Sequence, residues 1–109
     1  MKFYDSLYLS ESIEKPNRAK RRLFFGVGCS GLYVISLARN TDQLDIFSAA
    51  LLKQKYFDKK SLVIVGIAAG RQEAVGLVEQ MLRDAGAAGK EGDIKGYLLE
   101  EMARKRRKG

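Results

Sequence analysis

The sequence contains no histidine and a single cysteine, Cys29. Without histidine, the chain cannot supply the imidazole of a Ser-His or Cys-His catalytic pair, or an imidazole ligand to a metal. One cysteine cannot form a disulfide within the chain or a thiolate zinc site. Because no other nucleophile–base pair or metal-binding cluster is evident, we expect no catalytic residue, no metal and no cofactor. An enzyme is the least favoured class of function.

Long hydrophobic runs are also missing. No apolar stretch approaches the roughly 20 residues that a membrane-spanning helix needs, and residues 1–5 lack the apolar region of a signal peptide. The lone cysteine gives no reason to expect an oxidising compartment. We therefore expect a cytoplasmic protein without a membrane partner. At 109 residues, 46% hydrophobic and 30% charged, the composition indicates one small globular domain, residues 1–109.

The clearest local pattern runs from residue 61 to residue 85. Residues 61–68 form a short, uncharged, β-branched run, which predicts a strand buried on both faces. Gly70 then breaks the strand, and the apolar residues change to a helical period. We expect Gly86 to end this helix in the left-handed conformation. The expected buried stripe consists of Ala74, Val75, Val78, Met81, Leu82 and Ala85.

The first half of the chain predicts further elements. Residues 3–9 are either a short edge strand or an extended arm, and Pro16 is well placed to open a helix through Phe25. Residues 31–38 read as a second strand followed by a turn. Residues 44–47 could open a helix or form a strand that pairs back on it, and we favour the strand. Ser48 would then cap a helix over 49–57.

The last segment predicts a glycine-rich connector and a final helix. Residues 86–92 form a flexible connector by composition, and Asp93 is a good N-cap for a basic helix over 93–109. The predicted fold class is therefore α/β, with α+β as the alternative. It contains a small three-stranded mixed sheet covered by helices and a terminal basic helix.

Residues 26–31 match the pattern G-x-G-x-x-G. A dinucleotide-binding fingerprint requires a strand before the glycines and a helix after them, so that the pyrophosphate meets a helix N-terminus. Here a predicted helix precedes the glycines and a predicted strand follows. We interpret the segment as a connector.

A recognisable pattern covers residues 31–85, in the middle of the chain. It consists of residues 32–38, residues 44–46 with Leu51, Leu52 and Tyr56, residues 65–68, and residues 73–74 and 77–78. Through this pattern the chain resembles a family of small, uncharacterised bacterial α/β proteins. It implies a compact bacterial intracellular protein. It implies no activity, and it assigns no catalytic residue to this chain.

Positive charge is concentrated at the two ends. The net charge is +7, with six basic and three acidic residues in 1–30 and again six and three in 93–109. Basic clusters suit contact with phosphates or with an acidic protein surface, although they can also serve only to keep a surface solvated. The candidate polyanion-binding residues are Arg18, Lys20, Arg21, Arg22, Arg104, Lys105, Arg106, Arg107 and Lys108.

Three classes of function remain open. The favoured hypothesis is a non-enzymatic binding or accessory protein whose basic ends contact nucleic acid or an acidic partner. A second is a binder of a small anion or nucleotide at the strand-to-helix turn, through Gly70 and Arg71. The third is a self-associating protein, such as a homodimer, because a small sheet has exposed edges. In that case Tyr97, Leu98, Leu99 and Met102 could dock on a second copy.

Overall fold

The computed structural model describes residues 1–26, 31–38, 43–53 and 60–108, and it describes side chains as far as residue 105. The strands are β1 (Lys2–Leu9), β2 (Tyr33–Leu37), β3 (Leu44–Ser48) and β4 (Val63–Ala68). The helices are α1 (Pro16–Phe25), α2 (Arg71–Ala87) and α3 (Ile94–Lys108), with a 3-10 helix at Ala49–Lys53. No helix within these ranges is both long and apolar enough to cross a bilayer.

The strands form one mixed sheet in the order β1-β4-β2-β3. β1 runs parallel to β4, while β2 is antiparallel to both β4 and β3. The prediction of a mixed sheet is confirmed, but the described part of the chain contains four strands and not three, because residues 2–9 join the sheet as an edge strand. The predicted pairing of residues 44–47 with the second strand is confirmed, as Ile46 lies opposite Ile35.

Two predicted segments, residues 49–57 and residues 26–31, are described only in part. The predicted helix over 49–57 is described only to Lys53, where it is a 3-10 helix, and residues 54–57 lie outside the described ranges. Gly26 ends α1 with φ of 69°, and β2 begins at Tyr33, so a helix does precede the glycine-rich segment and a strand does follow it. Residues 27–30, including Cys29, also lie outside the description.

β4 lies in the middle of the sheet, as its uncharged sequence predicts, and is buried along nearly its whole length. Ile35 of β2 pairs with Gly66 and Ser36 with Ile64, so Val65 has no opposite residue and forms a β-bulge. A Cβ atom on Gly66 would lie only 3.2 Å from Met81 Cε. The glycine therefore lets α2 pack closely on the bulged strand.

The two faces of the sheet are covered by different helices. α1 covers one face together with the 3-10 helix, and their buried side chains are Ala19, Leu23, Ala49 and Leu52. α2 and α3 cover the other face, with buried side chains Ala74, Met81, Ile94 and Leu98. The molecule therefore has three layers, with the sheet between two layers of helix.

The buried stripe of α2 is narrower than predicted. Ala74, Met81 and Ala85 are buried, whereas Val75 and Leu82 are each 45% exposed. The prediction for Val75 and Leu82 was wrong because each lies one residue, about 100°, further around the helix than a buried neighbour. The helical period in the sequence identifies an apolar arc on α2. The position of the sheet relative to α2 decides which part of that arc is buried.

α2 also ends later than predicted. Gly86 is inside the helix, which continues to Ala87, and the left-handed residue is Gly89 with φ of 79°. The Gly89 amide donates to the Gly86 carbonyl at 3.1 Å, and the Lys90 amide donates to the Ala85 carbonyl at 2.8 Å. This pair of bonds is a Schellman motif, which satisfies carbonyls that the helix end would otherwise leave unpaired.

α3 starts as predicted and packs on its own sheet. The side chain of Asp93 accepts a hydrogen bond from the Gly96 amide at 3.0 Å, the geometry of an N-cap. Leu98 is fully buried, and Tyr97 and Met102 pack against the same core, which leaves only Leu99 of the predicted docking residues exposed. Tyr97, Leu98 and Met102 are therefore covered by the chain's own sheet and are not available to dock on a second copy.

Met81 and Leu82 provide a stability test within one turn of α2. We expect Met81→Ala to lower the free energy of unfolding by about 2–5 kcal/mol, because it leaves a cavity beneath α2. Leu82→Ala, at a half-exposed neighbour, should change it by about 0.5 kcal/mol or less. Urea titrations of both variants measure this difference. An equal loss in both variants would contradict the orientation of α2.

Candidate functional site

α1 carries all four cations predicted near the N-terminus, and two of them are exposed. Its buried residues, Ala19 and Leu23, face the sheet. Arg18 and Arg21 lie on the exposed side, and Arg22 is partly buried. Because positions three and four apart lie on the same side of a helix, Arg18 lies next to both Arg21 and Arg22. Arg18, Arg21 and Arg22 therefore bring three guanidinium groups together on α1.

These arginines line a shallow groove of about 410 Å³ along α1. We refer to it as the α1 groove, and its described lining residues are Lys15, Asn17, Arg18, Arg21, Arg22 and Phe25. None of these residues is acidic. From Lys15 to Phe25 the helix axis advances about 15 Å at 1.5 Å per residue. The groove is therefore an extended basic surface.

A second groove, of about 320 Å³, adjoins the first and shares Lys15, Arg18 and Arg22 with it. It also includes Ser12 and Ala69, which follow the carboxyl ends of the parallel strands β1 and β4. We call it the strand-end groove. Ligands of open α/β sheets gather at this end of parallel strands. The arginines of α1 therefore border a position that is favourable for binding.

Hydrogen bonds hold the floor of the strand-end groove in place. The Ser10 amide donates to the Ile67 carbonyl at 3.1 Å, and the Ser10 hydroxyl accepts from the Ala69 amide at 3.1 Å. The Ser12 hydroxyl donates to the Glu73 carboxylate at 3.1 Å. The loop after β1 is thus fixed to the turn between β4 and α2.

Neither residue of the alternative anion site, Gly70 and Arg71, is among the residues that line the strand-end groove. Gly70 precedes α2 with φ of 126°. Arg71, however, lines a separate groove of about 350 Å³ with Tyr33 and Val75, and it is not among the residues that line the strand-end groove. Glu73 already places a carboxylate in the first turn of α2, where it disfavours a second negative charge.

The C-terminal cations lie with α3, on the opposite face of the sheet from α1. Arg104 forms an ion pair with Glu101, and Lys105 contacts the Ser6 hydroxyl. The Lys105 ammonium also lies 5.6 Å from the centre of the Tyr4 ring. The helix continues through residues 106–108, but the side chains of Arg106, Arg107 and Lys108 lie outside the description.

The cations of the two predicted basic groups whose side chains are described therefore lie on opposite faces of the sheet. Both groups border the edge strand β1: Lys20 of α1 lies 5.7 Å from the centre of the Phe3 ring, while Lys105 lies over neighbouring Tyr4. Consecutive residues of a strand point to opposite faces of the sheet. Lys20 and Lys105 thus flank β1 from opposite sides.

Phe24 and Phe25 are functional candidates that the sequence interpretation did not include. They are 60% and 66% exposed, and their ring centres lie 5.2 Å apart with the ring planes at 84°. The signal was present in the sequence. If Ala19 and Leu23 face the sheet, the next two positions after Leu23 turn away from it.

A tyrosine cluster, formed by Tyr4, Tyr8 and Tyr97, joins β1 to the helices on the other face. The Tyr4 and Tyr8 rings are nearly parallel, with centres 6.4 Å apart, and the Tyr8 hydroxyl donates to Asp84. Burial is the main cause that raises the pKa of Tyr4 to about 12, and the nearby negative charge of Glu101 adds to it. Burial and the hydrogen bond to Asp84 raise the pKa of Tyr8, and burial raises that of Tyr97. These phenols stay protonated and act as structural contacts.

The chain matches no protein-family model, and comparison with curated proteins and with solved structures found no significant match. The resemblance to small bacterial proteins therefore remains a prediction. Within the described ranges, no three acidic or cysteine side chains lie together in a group that could hold a metal ion. The candidate functional site consequently consists of the two grooves and the side chains around them.

The tyrosine cluster predicts a loss of stability at alkaline pH. Because the pKa of Tyr4 is raised in the folded state, its stabilisation is complete below about pH 10, the pKa of an unfolded tyrosine, and is lost as pH rises towards 12. We expect the free energy of unfolding in urea to decline over this window, and to decline less steeply in Tyr4→Phe. An identical decline in both proteins would show that Tyr4 does not contribute.

Proposed function

We propose that the protein binds nucleic acid and that the main contact is between the phosphates and the α1 groove. The observation that carries the proposal is that Lys15, Arg18, Arg21 and Arg22 line one groove that contains no acidic residue among its described lining. Binding of phosphates requires only Lys and Arg side chains arranged along a surface, and no buried site. The absence of histidine is no obstacle to such a role.

Arginine suits this contact better than lysine would. A planar guanidinium can donate two parallel hydrogen bonds to one phosphate, so it fixes direction as well as charge. Arg18 and Arg22 belong to both grooves. The lining of the strand-end groove also includes the carboxylate of Glu14, so we place the phosphates in the α1 groove.

The C-terminal cations contribute less than those of α1 to the proposed contact with phosphates. Arg104 is paired with Glu101 and Lys105 contacts Ser6, so both already have partners. They lie with α3 on the other side of the sheet from the α1 groove. A nucleic acid bound to α1 would reach them only by passing the edge strand β1. The proposal therefore assigns the main contact to α1 alone.

Salt dependence is the direct test of this proposal. With four cations on a single strand, the slope of log affinity against log salt should be about −3, from 0.7 per neutralised phosphate. We expect Arg18→Gln/Arg21→Gln to weaken binding and to reduce the slope by about 1.4. Fluorescence anisotropy of a labelled single-stranded oligonucleotide, titrated at several salt concentrations, measures both quantities.

A matched control separates this site from net charge. Arg83 hydrogen-bonds Gln80 on α2, and Lys90 pairs with Glu100 at 3.0 Å, both on the side away from α1. The double variant Arg83→Gln/Lys90→Gln also removes two positive charges. The salt slope of this variant should match that of the unmodified protein. Equal losses in both double variants would show that only net charge matters. A lack of any binding at about 50 mM salt would end the proposal.

A further inference from the structure

Phe24 and Phe25 are poorly explained by the fold. Both rings are largely exposed, and neither belongs to the hydrophobic clusters on the two faces of the sheet. Adjacent exposed aromatic rings keep apolar surface in water, and such patches on a protein often mark a binding surface. The position of this pair decides which kind of ligand fits it.

Phe25 lines the α1 groove together with Arg18, Arg21 and Arg22. Arg21 and Arg22 are four and three residues before Phe25, so one turn of helix brings both guanidinium groups beside the ring. An apolar partner covering the ring would have to remove these charges from water, which is costly without anionic partners. The occupant must therefore present an apolar or aromatic face and a negative charge within a few ångströms of each other.

We infer that the ligand of the α1 groove is single-stranded nucleic acid, whose unpaired bases stack on Phe24 and Phe25 while its phosphates contact the adjacent arginines. The inference rests on the proposed function and specifies its ligand. A nucleotide supplies the required combination, because every base has a π-face and is joined to its own phosphate. In a duplex the base faces are already covered by neighbouring base pairs, so a duplex cannot use the rings in this way.

The geometry of the aromatic pair is compatible with stacking. At 84° between the planes, the edge of one ring meets a face of the other, and ring faces remain open to solvent. Aromatic rings beside a basic track are the combination by which sequence-tolerant single-strand binders hold their ligand. The surface spans one helix, so we expect a short contact and little preference among bases.

The experiment compares three polyanions: a single-stranded oligonucleotide, the same sequence as a duplex, and heparin, which has no bases. We expect Phe24→Ala/Phe25→Ala to weaken binding of the single strand about 5- to 150-fold for each base that stacks on a ring. Binding of the duplex and of heparin should change by less than about twofold. Phe25→Tyr, with an aromatic ring retained beside Phe24, should keep single-strand binding near that of the unmodified protein.

Two controls keep the outcome interpretable. Leu99→Ala removes a side chain that is 46% exposed on α3, across the sheet from α1, and should leave all three affinities unchanged. An oligonucleotide containing 2-aminopurine reports stacking through a change in its fluorescence on binding. That change should be lost in Phe24→Ala/Phe25→Ala.

The failures of the two proposals can be told apart. If the phenylalanine variants weaken all three ligands equally, or none of them, stacking is disproved while phosphate binding through α1 stands. If none of the three ligands binds at low salt, the proposed function itself is wrong.

Discussion

Burial of β4 on both faces is the constraint on which the structure depends. A strand with helices on both sides must carry apolar side chains in both directions, and residues 63–68 meet this requirement without a charge. The bulge at Val65 and the missing side chain of Gly66 create the space that Met81 occupies. α2 can therefore approach the sheet closely at Gly66.

The same constraint explains why α1 is available for binding. α2 and α3 supply most of the buried helical side chains, whereas α1 contributes only Ala19 and Leu23 to the core. A helix held by so narrow a stripe leaves most of its circumference in solvent. The composition of that circumference is thus not limited by packing. Apart from Pro16 and Asn17, it carries cations and two phenylalanines, and Arg18 and Arg22 border the strand-end groove.

Local patterns determined what could be predicted from the sequence. β4 and α2 were evident because a β-branched run and a helical period do not depend on distant partners. The pairing of β1 with β4 was not evident, since a parallel partner is distant in sequence and leaves no local mark. Exposure of Val75 and Leu82 depends on where the sheet lies relative to α2, and the direction of Arg71 depends on which groove its turn faces. The exposure of Phe24 could have been predicted from the sequence, because Phe24 follows Leu23 and so lies off the face that Ala19 and Leu23 share.

The pairing of β1 with β4 also affects how the chain folds during its synthesis. Lys2 pairs with Val63, so the first strand has its partner about sixty residues later. At the usual 5–20 residues per second of synthesis, about 3–12 s pass before that partner leaves the ribosome. Pairings over such sequence distances form slowly because a long loop must close first. The β2–β3 hairpin can form early, whereas the N-terminal strand is expected to be the last to dock.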